Sequence, residues 1–258
     1  MDALEAFTAF EGRLLRRLST RVLPFAWGSA YLDDDVPSRY YANFLRTETD
    51  LSGATAKDLI AAADDILGDG RYEHRLVIVR DEAAAERLAP GFATAGFARA
   101  PEVVQLLRRA PDKPPTVAVD VVSFAEARDV ILQTYREDEH LPQSVAVPFT
   151  DHRAKYETAV GARFFVARID GEQAGVCELY VDGDDAQVEN VGTLLRFRNR
   201  GVARSVVLAA CEAARAAGAT RTFILADDED WPKQLYERLG FDRLATDVGF
   251  LRSPGTTA

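Results

Sequence analysis

The sequence predicts a mixed α/β fold, an α+β arrangement around a mixed sheet, built in two parts. Three observations predict it. From residue 116 onward, apolar strand-like runs alternate with amphipathic helical stretches, the pattern of a layered fold. Before that, Ala110-Pro111-Asp112-Lys113-Pro114-Pro115 holds three prolines in five residues, which neither a helix nor a central strand accommodates. The segment ahead of this break also echoes the C-terminal segment. The expected domains are residues 1–112 and 113–258.

The C-terminal elements follow in order. Thr116 to Val122 alternates as a strand, and Phe124 to Tyr135 reads as a helix. Leu141 to Thr150 carries Pro142 and Pro148 and reads as a loop, with Asp151 to Val160 helical after it. Arg163 to Ile169 is an apolar strand, and Asp170-Gly171 turns it into Glu172 to Val181. Asp182-Gly183-Asp184 then turns into Ala186 to Leu195. A basic loop, Arg196 to Arg200, precedes a helix from Val202 to Ala217. Its apolar stripe is Val202, Val206, Ala209, Ala213 and Ala216, and Gly218 ends it. Thr222 to Ala226 has the look of a buried strand. Trp231 to Leu239 is a helix stopped by Gly240, and Phe241 to Arg252 supplies a last strand or two. Asp228 or Asp230 is expected to cap the helix, with Pro232 in its first turn.

The N-terminal part repeats the end of this plan. Val77-Ile78-Val79-Arg80-Asp81-Glu82 resembles Phe223-Ile224-Leu225-Ala226-Asp227-Asp228. A helical stretch and then Gly-Phe follow each, at Gly96-Phe97 and Gly240-Phe241. Arg99, Val104, Leu107 and Arg108 keep the offsets of Arg243, Val248, Leu251 and Arg252. That register favours a duplication. Trp27, Tyr31, Tyr40, Tyr41 and Phe44 form an aromatic patch, expected in a core or domain interface.

Composition narrows the function. The 258 residues are 47% hydrophobic and 28% charged, with net charge -10 and a sequence pI of about 4.9. An acidic chain lacks the basic footprint of nonspecific nucleic-acid binding. Acidity suits amine-bearing substrates and also serves solubility alone. Cys177 and Cys211 make neither a disulfide framework nor a zinc site, and the three scattered histidines suggest no metal. No apolar run reaches the roughly 18 residues of a membrane span. The first residues carry Asp2, Glu5 and Glu11 and do not resemble a secretory signal. A cytoplasmic protein, monomer or homodimer, with no membrane or nucleic-acid partner, is expected.

The chemistry concentrates between residues 186 and 217. A strand runs into a loop with Arg196, Arg198 and Arg200, and a helix opens at Val202 after Gly201. The first N–H groups of a helix have no internal acceptors and carry partial positive charge. A glycine at the turn lets a phosphate approach the backbone, and Ala203 is too small to block it. Arg204 adds a further charge. This is a diphosphate site in outline. It is not a Walker loop, because Gly-Lys-Ser/Thr is missing, nor a three-glycine dinucleotide fingerprint.

Arg198-Asn199-Arg200-Gly201-Val202-Ala203 resembles the Gln/Arg-x-x-Gly-x-Gly/Ala motif of the GNAT superfamily of N-acetyltransferases. Leu235-Tyr236-Glu237-Arg238-Leu239-Gly240-Phe241 resembles a second GNAT segment downstream. The likeness covers roughly Thr116 to Arg252, and the N-terminal part looks like a degenerate copy of the same fold. The resemblance therefore implies two tandem GNAT-like acyl-CoA N-acyltransferase domains, the second one catalytic. It implies acetyl-CoA as co-substrate, with no metal, and a small-molecule or peptide amine as acceptor. The backbone of Val191, Gly192 and Thr193 would pair with the pantetheine arm. Arg198 to Ser205, through Asn199, Arg200, Gly201, Val202, Ala203 and Arg204, would hold the pyrophosphate.

Tyr236 matches the family's general acid, which protonates the departing thiolate. A base is also needed for the amine. Glu189 is the candidate, expected on one strand face with Gln187, Val191 and Thr193. Glu178 or water is the alternative. His140 and His152 flank a region that often lines the acceptor site in such proteins. The sequence departs from the family at Asp227-Asp228-Glu229-Asp230, where an asparagine is common, and at Leu195, where a proline is. In the N-terminal copy Phe92 stands in Tyr236's place, and no arginine precedes the helix Ala56 to Leu67. That half is expected to bind no acetyl-CoA. Other outcomes consistent with the sequence are an acyltransferase for a longer acyl-CoA and a catalytically silent acyl-CoA-binding or regulatory protein.

Overall fold

The computed structural model of the chain describes residues 1–138 and 140–254. In chain order the elements are α1 (Ala3–Leu18), β1 (Arg21–Phe25), β2 (Gly28–Leu32), β3 (Phe44–Thr47), α2 (Ala56–Leu67), β4 (Arg75–Val79) and α3 (Glu82–Thr94). Next come β5 (Ala98–Leu107), β6 (Ala118–Val122), α4 (Phe124–Glu137), α5 (Gln143–His152), α6 (Ala154–Val160) and β7 (Arg163–Ile169). The chain closes with β8 (Glu172–Asp182), β9 (Asp185–Thr193), α7 (Val202–Ala216), β10 (Arg221–Asp227), α8 (Pro232–Arg238) and β11 (Phe241–Arg252). The mixed α/β class expected from the sequence is the one observed. Among the described residues no helix is long and apolar enough to cross a membrane.

Contacts gather the chain into two units of interleaved segments. The C-terminal unit takes Met1–Leu14, Gln105–Leu225 and Trp231–Leu244. The N-terminal unit takes Leu15–Val104, Ala226–Asp230 and the chain from Ala245 onward. Strands β5 and β11, the two that follow the Gly-Phe repeats, therefore each divide between units. Both glycines take positive φ, 78° at Gly96 and 101° at Gly240.

In the C-terminal unit the strand order is β10-β9-β8-β7-β6. β6 through β9 are antiparallel neighbours, and β9 meets β10 in parallel. Asp170, at φ 53°, and Gly171 make the β7–β8 hairpin, as the Asp-Gly pair predicts. One face of the sheet receives α7, whose buried side chains are Val202, Ser205, Val206, Val207, Ala210, Cys211 and Ala214. The expected stripe is thus correct at Val202 and Val206 and rotated beyond them. Ala209 and Ala213 are half-buried and Ala216 is exposed. With alanine at so many positions, several stripes fit the sequence, and packing selects the one through Cys211. Phe7 of α1 packs on Phe223 of β10, ring centroids 5.1 Å apart.

The other face is covered by α4 and the short helices after it. Here the loop expected over Leu141 to Thr150 is instead α5. Pro142 serves as its N-cap, where a missing N–H is harmless, although Pro148 does lie inside the helix. Arg153 ends α5 and begins α6 in one step. The cap position of α8 is Trp231, whose side chain does not cap the helix, and Asp227 accepts from the Glu229 N–H (2.7 Å).

The N-terminal unit orders its strands β1-β2-β3-β4-β11. Its core is an apolar cluster through Leu45, Leu59, Val77, Leu88, Phe92 and Phe250. From the aromatic patch, Tyr31 and Phe44 are core residues beside Leu76 and Ile78. Tyr41 is the exception, with 45% of its surface exposed.

Candidate functional site

The candidate site grows from the end of β9. Its register with β8 is regular from Asp182↔Asp185 to Glu178↔Glu189, then resumes at Val176↔Gly192. One β8 residue, Cys177, therefore faces two on β9, Asn190 and Val191. This is a β-bulge, and Asn190 takes the left-handed conformation at φ 52°. An inserted residue moves every later side chain to the opposite face. Gly192 comes to share Glu189's face, while Thr193, opposite Gly175, does not. The simple alternation of Gln187, Glu189, Val191 and Thr193 expected from sequence fails at this point.

Two consequences follow from the geometry. Gly192 lies under Thr134 of α4, where an added Cβ would stand 2.6 Å from a methyl group, so only glycine fits. On the opposite face, the Cys177 Sγ donates to the Val206 carbonyl of α7 (3.3 Å). In addition, the β9–β10 register runs only from Asp185↔Arg221 to Val188↔Ile224. The last stretch of β9, Glu189 to Thr193, continues past the end of that ladder.

The loop after β9 makes one 3₁₀ turn, Leu195–Phe197, and reaches α7 through two left-handed residues, Asn199 at φ 62° and Gly201 at φ 82°. Gly201 is the N-cap of α7, and no side chain caps the helix. Side chains do cap α2 (Thr55), α3 (Asp81) and α4 (Ser123). The N–H groups of Val202, Ala203 and Arg204 open the helix as a patch of partial positive charge. A Cβ on Gly201 would lie 2.3 Å from the Thr116 hydroxyl oxygen. Thr116 is held there because the Thr116 and Val117 N–H groups both donate to Ser205 Oγ (3.1 Å each). That oxygen also donates to the Gly201 carbonyl (3.0 Å), so Ser205 is committed within the protein and is fully buried.

Each arginine of the loop meets a carboxylate. Arg196 pairs with Glu172 (2.6 Å), Arg198 with Asp138, Arg200 with Asp170 (3.8 Å) and Arg204 with Asp112. Glu137 accepts from the Leu195 N–H (2.6 Å). Arg196 and Arg200 also stand over the Phe197 ring, 4.8 and 5.7 Å from its centroid. Partly exposed pairs like these are worth about 0–1 kcal/mol each, so a multiply charged anion can displace them.

Tyr236 is buried on α8, 5% exposed, with Phe241 beside it. Burial raises its phenol well above the usual tyrosine range, and the charge of Glu189 raises it further. The Glu189 carboxyl is itself raised by burial. A bond from Gln187 Nε2 (2.6 Å) and the nearby Arg153 oppose that rise, and Glu178 adds to it. The structure thus brings Tyr236 and Glu189 into electrostatic contact. Glu178 is engaged differently. It is fully buried and accepts from Arg153, Tyr180 (2.6 Å) and Asn190 (2.8 Å). Both cysteines are buried, and burial holds their thiols protonated, Cys211 pushed up to about 12. His152 packs edge-on against Tyr156, and His140 is exposed. Sequence reasoning missed Arg153, Asn190, Asp138 and Thr116. Only Asn190 carried a local sign, since asparagine tolerates positive φ better than most residues.

Residues 127–241 match the family model described as the acetyltransferase (GNAT) family. That match spans a little under half of the chain, so over these residues the chain is similar to the GNAT family. No curated protein is detectably similar to the chain. Among solved structures, it resembles a conserved protein of unknown function from Staphylococcus epidermidis (TM-score 0.71, 15% identity, 92% of this chain and 94% of that one). It also resembles a GCN5-related N-acetyltransferase from Kribbella flavida (TM-score 0.66, 18% identity, 98% and 96%). A tandem GNAT protein of the clavulanic acid biosynthesis pathway aligns over 90% of this chain and 80% of its own (TM-score 0.59, 15% identity). At these identities the likeness is one of fold. The GNAT domain and the long alignments agree with two tandem GNAT-like domains, and the family implies acyl-CoA-dependent acyl transfer.

Proposed function

We propose that the chain is an acetyl-CoA-dependent N-acetyltransferase acting on a primary amine, with its working site in the C-terminal unit. The observation that carries this reading is the uncapped start of α7 behind Gly201, directly after a strand that outruns its parallel partner. A diphosphate fits the first: its oxygens accept from the N–H groups of Val202, Ala203 and Arg204, and Arg198, Asn199 and Arg200 surround it. An amide-bearing arm fits the second, along the backbone of Val191, Gly192 and Thr193. Ser205 contributes by holding Thr116 and the loop in place rather than by a free hydroxyl.

In the proposed reaction the amine nitrogen attacks the thioester carbonyl, a C–N bond forms and the C–S bond breaks. Glu189, directly or through water, takes the proton from nitrogen, and Tyr236 gives one to the thiolate sulfur. The two groups act in sequence for an electrostatic reason. Besides burial, the charge on Glu189 keeps the phenol protonated. Once Glu189 is protonated that charge is gone, and Tyr236 becomes the better donor as the thiolate departs. The protonated, buried cysteines support direct attack without an enzyme thioester.

We further propose that the N-terminal domain binds no acyl-CoA. Its α2 opens with a capping box, Thr55 with Asp58, which fills the helix N-terminus and places an anion there. Phe92, where a phenol would be needed, is stacked on Phe250 at 4.1 Å in the core.

The direct test is release of CoA thiol from acetyl-CoA across a panel of peptide, polyamine and small-metabolite amines. Turnover with any of them supports the transferase; binding without turnover favours a silent acyl-CoA-binding protein. The phosphate reading has its own check. Gly201→Val is expected to weaken acetyl-CoA binding about tenfold or more in calorimetry. A β-branched residue in the left-handed region costs at least about 1–2 kcal/mol, and the new Cβ meets Thr116.

A further inference from the structure

Glu189 stands directly across the β8–β9 ladder from Glu178. Like charges at directly opposed positions are destabilising, and Glu178 is fully buried. What makes the arrangement tolerable is Arg153, itself 2% exposed, at the junction of α5 and α6. Its Nε donates to Glu178 Oε1 (2.9 Å) and its Nη2 to Oε2. Nη2 also donates to the Tyr180 hydroxyl (2.6 Å), which donates on to Oε2 (2.6 Å). Asn190 Nδ2 completes the set on Oε1 (2.8 Å). The Tyr156 ring lies 3.9 Å below the guanidinium carbon. Glu178 is thereby saturated, and one of its bonds goes to the left-handed residue of the bulge.

We propose that Arg153 is a positioning residue for the transfer reaction. By neutralising and clamping Glu178 it anchors Asn190, fixes the bulge that follows Glu189, and relieves Glu189 of the facing carboxylate's charge. The inference rests on the reading of Glu189 as the proton acceptor. The titratable groups facing Glu189 are Glu178 and Tyr180 on β8, Arg153 between α5 and α6, and Tyr236 on α8. Of these only Arg153 is positive, so its partner's charge decides what Glu189 experiences. Removing the Glu178 charge leaves Arg153 uncompensated and favours the Glu189 carboxylate.

The test needs no acceptor. The full chain is labelled with ¹³C at its glutamate carboxyls and titrated by NMR, Glu189 being assigned by its loss in Glu189→Gln. Glu178→Gln is expected to lower the Glu189 midpoint by about one unit, a tenfold change in proton affinity. A midpoint within about 0.3 units of the unmodified chain overturns the proposal. Should Glu178→Gln not fold, Asn190→Gly reads the anchor separately, because glycine accepts the left-handed conformation. Amide exchange at Val191 and Gly192 is then expected to accelerate about tenfold or more, with other amides unchanged. Unchanged exchange there also overturns it. Acetyl-CoA binding to the unmodified chain is measured alongside. No binding removes the transferase reading and with it Arg153's part in transfer. Binding with an unmoved Glu189 removes only the present inference.

Discussion

Tyr236→Phe is expected to lower kcat by about 10²–10⁴-fold, the usual contribution of a general acid, with little change in acetyl-CoA affinity. The ring keeps its place against Phe241, and only the hydroxyl is lost. A large fall in kcat with unchanged binding therefore isolates proton delivery to the thiolate. The stopped or steady-state assay of CoA release reads kcat, and calorimetry reads binding. If kcat stays within about threefold of the unmodified enzyme, far short of a general acid's contribution, Tyr236 is an ordinary core tyrosine and water protonates the leaving group.

Arg153→Met is expected to have the largest effect on stability. It leaves the Glu178 carboxylate buried without its counter-ion, and breaking such a pair from one side costs about 3–5 kcal/mol. For a chain of this size that corresponds to a fall in melting temperature of roughly 10 °C. Replacing both partners, as Arg153→Met with Glu178→Met, is expected to recover part of the loss, since a buried pair exchanged for apolar groups is often neutral. Recovery stays incomplete because Tyr180 and Asn190 lose their acceptor. A single variant melting within about 2 °C of the unmodified chain would mean that water reaches the cluster and solvates Glu178.

The parts of the fold written in local chemistry were legible. The Asp170-Gly171 hairpin and the glycines at 201, 218 and 240 announce their turns, and all five of these residues adopt positive φ. Strand and helix limits such as Arg163–Ile169 and Ala56–Leu67 follow from apolar runs and coincide with the expected ones. The proposed pyrophosphate loop and the proposed acid Tyr236 stand out in the sequence as candidates for the same reason, being short motifs of fixed spacing. What escaped was set by contacts distant in sequence. The bulge at Asn190 depends on a bond to Glu178 twelve positions earlier in the chain. Arg153 looks like any charged residue in a polar helix until the fold turns it inward onto β8. The loop arginines show only their charge in the sequence, and their partners come from three separate segments: Asp170 and Glu172 of the β7–β8 hairpin, Asp138 after α4, and Asp112. The α5 helix was hidden by Pro142 and Pro148, the first of which proves to be a helix start.

We propose that one of two related domains holds acyl-CoA, on the uncapped helix behind Gly201. Titration calorimetry of acetyl-CoA into the full chain tests it most directly. One site per chain is expected, lost or strongly weakened in a folded Gly201→Val chain. Two sites per chain, no heat of binding, or undiminished binding by that variant would contradict it.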